Sequence, residues 1–448
     1  MYEADRSGIK FGPFWISPGL TGPNIAAITF GSFTTVAMIV FMSLIQPYVM
    51  NEVVHIPAGQ QGQITGYLTA MQEVIVVLLV GLAGAWSDRV GRRLVYVIGF
   101  CVMAAGYLVY PLASTAAELF LFRIVFAIGI VFVPVMLSAT VQDTPQEISR
   151  GKWVGFMNIC QGLGVLLLAT ALLGNGPEWF ASQGFSPRMA GQLSLWSATA
   201  LCGIVAVVLW FGLPADMGKT KKQQNETVMH KFRAGVREGF RNPRLAIAFG
   251  AAFIGRGDLV IVGNFLTLRI TQHGIDQGLT TAEASGKAFM MFGIVQIAAL
   301  SWAFFMGLIT DRSNRMTALC VALVLATAGY SLIGWAEDPM AGSFIPLAIL
   351  LGIGEVSVIV TGGALLGQEA KASMRGAIVG VFNTMGGIGI IIASGLGGII
   401  YDAIGRAAPF TMMGILNGLL LLMAIVVRFR AGTPATSPKA NSNNESHQ

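Results

Sequence analysis

The sequence predicts an all-α integral membrane protein, with twelve transmembrane helices in two pseudo-symmetric six-helix halves and both termini in the cytoplasm. Three observations predict it. Hydrophobic residues make up 54% of the 448-residue chain and Asp, Glu, Lys and Arg only 11%, where a soluble domain carries roughly 25% charge. The apolar residues fall into twelve long, largely uncharged runs. A charged motif recurs half a chain apart, which makes the chain an internal repeat.

A helix crosses the hydrocarbon core in about 20 residues. The windows that meet this length are 24–50, 61–86, 93–113, 117–141, 152–175 and 190–213, then 245–270, 284–309, 317–336, 342–367, 376–400 and 408–428. The first run follows Pro13, Pro18 and Pro23 and has no small-residue cleavage site, so a retained helix is expected rather than a signal peptide. Residues 1–213 then form the first half, 214–244 a cytoplasmic linker, 245–430 the second half and 431–448 a disordered polar tail. The linker from Asp216 to Arg244 holds eight basic and three acidic residues. Met229, Phe232, Val236 and Phe240 recur in it at helical spacing, with Lys231, Arg233 and Arg237 between them. This suits a helix lying on the anionic inner leaflet; an ordinary solvated linker has the same composition.

Orientation follows from the basic residues. With the N-terminus inside, 22 of the 28 Lys and Arg lie on the cytoplasmic side, and only Arg188, Arg269, Lys287 and Arg406 lie opposite. Arg123 and Arg256 lie within spans. The net charge of +6 therefore reports topology, and a nucleic-acid partner is not expected. Cys101, Cys160, Cys202 and Cys320 all fall inside spans, where they read as small packing residues; neither a disulfide framework, a metal site nor a cofactor is predicted. The expected surroundings are a bacterial-type inner membrane, with the protein as a monomer.

The repeated motif is Gly84-Ala-Trp-Ser-Asp88-Arg89-Val-Gly91-Arg92, which returns 223 positions later as Gly307-Leu-Ile-Thr-Asp311-Arg312-Ser-Asn314-Arg315. A second block, Arg150-Gly151-x-x-x-Gly155, returns as Arg375-Gly376-x-x-x-Gly380 at an offset of 225. The paired hairpins, between spans two and three and again between eight and nine, resemble the signature loop of the major facilitator superfamily. Six-plus-six spans, a central basic linker and inward termini are also similar to that family, and the resemblance covers essentially the whole chain. It implies alternating access, with the loops acting in the switch between inward- and outward-open states. Carried over, Asp88 is expected near the start of span eleven and Asp311 near the start of span five, with Arg89, Arg92, Arg312 and Arg315 completing the network. A carboxylate beside a helix N-terminus is stabilised by the unpaired amides there. Asn314 replaces Gly91, which suggests a weaker second gate. Asp143 with Arg150, and Glu369 with Arg375, resemble the acid–arginine pairs that bridge the halves in the outward-open state. Basic residues serving topology alone, and ordinary loop charges, are the plainer readings of these two sets.

Charges inside spans are costly and hence functional or paired. Glu73 lies near the middle of span two, and Gln296 takes its place at the 223 offset. Arg256 and Asp258 lie midway along span seven, opposite Ala37 and Ile39 on a rough alignment; Glu355 is central in span ten and Arg123 is in span four. Residues two apart on a regular helix face nearly opposite ways. Either Arg256 and Asp258 have different partners, or Gly255 and Gly257 let the backbone unwind. In the superfamily, spans one, four, seven and ten line the cavity, which favours Arg256 bridging to Glu355 or Asp258 as cavity residues; a structural ion pair is the alternative. For Arg123 the choice lies between snorkelling to the outer interface and a cavity role. A carboxyl in low dielectric favours its neutral form and so can carry a proton near neutrality; Glu73, Asp258 and Glu355 are the candidates. Thr34, Thr35, Gln46, Asn158, Gln161, Asn264 and Asn383, with Phe33 and Trp302, could meet a substrate, although such residues also serve as helix-packing glue.

The function this favours is secondary active transport of a small molecule, as a proton-coupled exporter of an amphipathic compound or metabolite. Uptake of an organic anion by proton symport is the second reading. A non-transporting membrane sensor is the alternative from another class, and both hairpins being intact argues against it. No nucleophile–base or metal-ligand cluster supports an enzyme.

Overall fold

A computed structural model describes residues 8–215, 217–218, 228–371 and 374–430. The expected tail 431–448 lies outside the described residues. Twelve helices are long and apolar enough to cross a membrane: Gly22–Val53, Ala58–Val90, Arg92–Leu112, Ala116–Asp143, Glu147–Ser182, Pro187–Gly212, Pro243–Asp276, Thr281–Arg312, Arg315–Trp335, Phe344–Glu369, Arg375–Ala403 and Ala408–Arg430, here spans one to twelve. Each contains most or all of one window seen in the sequence. The outer surface is apolar, with Leu78, Phe211, Phe304 and Phe429 all exposed, as lipid contact requires.

Glycine contacts show how closely the halves repeat. A Cβ on Gly106 of span three would meet Phe126 of span four at 2.7 Å, and one on Gly129 would meet Met103 at 2.6 Å. In the second half Gly329 meets Leu351 at 3.0 Å and Gly354 meets Ala326 at 2.6 Å. These pairs keep the offsets of 223 and 225 read from the sequence. Without a hydrophobic drive between helices in lipid, such small residues permit the close backbone approach that holds the spans together. Gly164 of span five likewise lies on the Phe33 carbonyl of span one, as Gly389 of span eleven lies on that of Phe253 in span seven. Phe33 therefore matches Phe253. This corrects the rough alignment: Val36 and Met38, rather than Ala37 and Ile39, occupy the positions of Arg256 and Asp258.

Three spans depart from regular α-helix. π-helical turns run over Val49–Val53, Val165–Leu173 and Ile261–Leu266. Span seven is regular from Pro243 to Val260, so Gly255 and Gly257 do not unwind it; the irregular turn begins just after Asp258. The first hairpin turns at Gly91 with φ of 100°, a left-handed value that favours glycine. Asn314 takes the matching place at φ −64° and caps span nine through Met316 N–H at 2.9 Å.

Two elements flank the bundle at its hairpin end. Residues before span one form a small antiparallel ribbon, Lys10–Phe11 with Phe14–Trp15. Trp15 N–H donates to Ser149 Oγ at 2.8 Å, and the Phe14 ring meets Trp153 at 5.4 Å. The linker helix spans Val228–Arg241. It packs on span eleven, where Gly235 approaches the Ala377 carbonyl, and Glu238 pairs with Lys371 at 2.6 Å. The side chains of Met229, Lys231, Phe232 and Phe240 lie outside the described residues.

Candidate functional site

A cavity of about 620 Å³ lies between the halves. Spans one, two, four and five line it from one side and spans seven, eight and eleven from the other. Span ten, expected among the lining helices, contributes none of these residues. Most of the wall is Val, Ile and Leu, and its polar part includes Gln72, Asn158, Gln161, Asn264 and Gln296. An apolar pocket with few polar groups is the usual form of a small-molecule site.

The cavity holds one acid and one base, Glu73 of span two and Arg256 of span seven. They come from opposite halves and form no direct ion pair among the described residues, but the Arg256 charge acts on Glu73 across the cavity. Adjacent glycines of span eleven make room for both. A Cβ on Gly386 would lie 2.8 Å from Arg256 Cγ, and one on Gly387 would lie 3.2 Å from Glu73 Oε1. Gln296, the counterpart of Glu73, faces the same space from span eight. Asn158 and Gln161 of span five complete the polar part that sequence reading selected.

The expected bridge from Arg256 to Glu355 or Asp258 is not formed. Because span seven stays helical, Arg256 and Asp258 point apart: Arg256 is exposed to the cavity and Asp258 is buried. Asp258 accepts from Asn417 Nδ2 of span twelve at 3.1 Å. Glu355 is also buried within the second half. Neither acid lines the cavity. Arg123 takes neither of its expected places. It is buried inside the first half, donates to Gln46 Oε1 at 3.3 Å and lies over the rings of Phe126 and Tyr110 at 5.3 and 5.8 Å. Thr35 bonds Tyr96, Trp302 bonds Ser357 and Thr34 bonds its own helix, so these serve packing.

The two ends of the cavity differ. Away from the hairpins, polar contacts join the halves. Asn264 Nδ2 donates to Thr69 Oγ1 at 2.9 Å and Gln272 Nε2 to Gln61 Oε1 at 3.0 Å; within the second half, Tyr401 Oη donates to Gln272 Oε1 at 2.9 Å and so orients it. Thr281 Oγ1 donates to Glu52. The Asp402 carboxylate, at the end of span eleven away from the hairpins, accepts from Gly62 N–H at 3.0 Å and Gln63 N–H at 2.7 Å in span two. Gly66 and Gly398 bring these same spans into backbone contact.

At the hairpin end, the ion pairs that the described residues form stay within one half or tie the linker helix to the second. Arg92 reaches Asp88 at 2.6 Å and Asp143 at 3.3 Å; Arg150 reaches Glu147 at 2.8 Å; Arg244 reaches Glu369 at 3.8 Å. Arg315 donates to the Ala364 carbonyl at 3.0 Å. Asp88 is therefore not on span eleven, Asp311 makes no ion pair among the described residues, and neither Asp143–Arg150 nor Glu369–Arg375 bridges the halves. The reason is the shape: the halves meet at the far end and part here. Gly84, Gly307, Arg89 and Arg312 lie at this open rim.

Sequence reading missed the far-end contacts and the partners of Asp258. Gln61, Gln272, Tyr401 and Asp402 carry no motif that marks them in the sequence.

Comparison with known proteins agrees with this architecture. The chain is 26% identical over 393 residues to magnetosome protein MamZ of Paramagnetospirillum magneticum, covering 85% of this chain and 59% of that one. It therefore spans less than two thirds of that relative. It is 24% identical over 372 residues to the class E tetracycline resistance protein of Escherichia coli, covering 81% and 85% of the two chains. A solved structure of the nucleoside transporter NupG, in a mutant form, superposes with a TM-score of 0.73 at 15% identity, over 91% of this chain and 100% of that one; this is a likeness of fold. The sequence pattern of the Major Facilitator Superfamily matches residues 25–347 and again 290–447. With both halves matched, the chain belongs to the Major Facilitator Superfamily and is a multi-pass membrane protein.

Proposed function

We propose that the protein is a proton-coupled exporter of an amphipathic compound or metabolite, and that Glu73 and Arg256 are its coupling pair. The observation that carries this reading is their placement: the one acid and the one base of the cavity come from opposite halves and act on each other. Ionised Glu73 attracts Arg256 across the cavity. A proton arriving on Glu73 cancels that attraction and frees the two halves to separate around the cavity, which is the differential interaction an alternating cycle needs. The apolar wall suits an amphipathic cargo, and the likeness to the tetracycline resistance protein points to the same class.

The positive-inside asymmetry supports a cytoplasmic hairpin end, and on that reading the conformation described is inward-open. In that state a cargo enters from the cytoplasm while Asp402, Gln272 and Asn264 hold the outer side shut. Asp88, Asp143, Arg150, Asp311, Glu369 and Arg375 then act in the opposite conformation, when the cytoplasmic rim closes.

Everted vesicles with an acidic lumen test this. Tetracycline and ethidium serve as probes, read by dissipation of the pH gradient. An exporter discharges the gradient when a transported probe is added, and Glu73→Gln abolishes the discharge. Retention of the full response in Glu73→Gln sinks the assignment. Arg256, exposed in the cavity and free of an ion pair among the described residues, favours one further reading, uptake of an organic carboxylate with a proton. That reading predicts accumulation in right-side-out vesicles with an acidic exterior.

A further inference from the structure

The second half encloses a polar cluster that the cavity does not use. Asp258 of span seven, Tyr330 of span nine, Glu355 of span ten and Asn417 of span twelve are all buried, with exposures of 0, 0, 3 and 0%. Asn417 Nδ2 donates to both Asp258 oxygens at 3.1 Å and also to the Met413 carbonyl, which leaves Asn417 Oδ1 unpaired. Glu355 Oε2 is unpaired as well, and Tyr330 Oη, without a partner in good hydrogen-bond geometry, lies against the Asp258 carboxyl and within electrostatic reach of Glu355. Neither acid is ion-paired with Lys, Arg or His among the described residues.

The fold itself does not call for this cluster. Tyr107 is the counterpart of Tyr330 in span three, and its hydroxyl donates to the carbonyl of Met38 in span one. Met38 is the residue at the place of Asp258, and Ile130 stands where Glu355 does at the 225 offset. The first half thus builds the same helix contacts with a satisfied tyrosine and no acid. Buried carboxylates without a counter-charge are strongly unfavourable, and buried polar atoms without partners are rare.

We propose that Asp258, Glu355, Tyr330 and Asn417 form a binding site for a sodium ion inside the second half, separate from the central cavity. The donors are all oxygens, two carboxyls, an amide carbonyl and a phenol, a set that suits hard cations rather than zinc or copper. Calcium takes six to eight oxygens and magnesium keeps several waters; the four residues offer at most six oxygens, two of them already accepting from Asn417 Nδ2, in a closed helix interior. Among the described residues there is also no group of three or more His, Cys, Asp or Glu to hold a multivalent metal. A bound sodium ion would tie spans seven, nine, ten and twelve together.

The test uses purified full-length protein at constant ionic strength, with sodium chloride exchanged for choline chloride or potassium chloride, followed by thermal unfolding and by equilibrium binding of radioactive sodium. The expected result is saturable binding of one sodium per chain and a rise in Tm with sodium over choline. Asp258→Asn and Glu355→Gln each weaken binding at least tenfold, while Glu73→Gln keeps it, since that residue belongs to the cavity. Superimposable sodium and choline curves with no bound radioactivity in the wild type overturn the proposal. So does a sodium response that survives both acid substitutions, or a stabilisation produced by acid pH alone. Wild-type binding decides the matter even if Asp258→Asn does not fold.

Discussion

Removing the Asp402 carboxylate should unlatch the far end. In this conformation Asp402 accepts two backbone N–H bonds from span two, at 3.0 and 2.7 Å, and both must break for the halves to part there. Hydrogen bonds to a charged group contribute about 1.5–3 kcal/mol each when shielded. Asp402 is only partly buried, so water competes and about 1 kcal/mol per bond is the better figure. Asp402→Ala then costs the closed far end about 2 kcal/mol, a shift of roughly 30-fold in the equilibrium between the two conformations. Asp402→Asn keeps one neutral acceptor and should fall between wild type and Ala. Spin labels at the exposed positions Gln60 and Gln277, one in each half, report the separation in a cysteine-free background. The wild type should give mainly the short distance, and Asp402→Ala a substantially populated longer one. A distance distribution unchanged in Asp402→Ala refutes the latch.

Two further outcomes follow from the same geometry. Asp88→Asn removes one of the two acidic partners of Arg92 and should cut transport severely with little change in membrane expression, checked by flux against amount of protein; unchanged flux removes Asp88 from the switch. Gly387→Val places a branched side chain where a Cβ already lies 2.6 Å from Val77; overpacking of about 1–3 kcal/mol should lower Tm and abolish flux, whereas Gly395→Val, with nothing within 4 Å, should leave Tm unchanged.

The fold was legible because membrane solvation leaves a coarse signature. Twelve apolar runs and a hairpin repeated at 223 positions need no tertiary knowledge. The cavity was legible in part: Glu73, Gln296, Arg256, Asn158, Gln161 and Asn264 all face it, because charged or amide groups in a span either line a cavity or pair inside the bundle. Which of those two a residue does depends on helix rotation, and that is set by packing rather than by composition. Arg123, Asp258 and Glu355 went inward for that reason, while Arg256, two residues from Asp258, went to the cavity. The alignment of spans one and seven shifted by one residue because no motif marks their register; only the glycine contacts at Phe33 and Phe253 fix it. The ribbon under spans four and five was missed because Lys10–Trp15 is too short to show periodicity. The gate pairs depend on conformation, and a sequence holds every conformation at once.

Glu73→Gln offers the most direct test of proton coupling through the cavity. In proteoliposomes loaded with a transported probe, net efflux driven by a pH gradient is compared with exchange of labelled for unlabelled probe at equal pH on both sides. Net efflux requires Glu73 to lose its proton in every cycle; exchange requires only the conformational change. The account predicts that Glu73→Gln loses net efflux and keeps exchange. Net efflux at the wild-type rate in Glu73→Gln would contradict it.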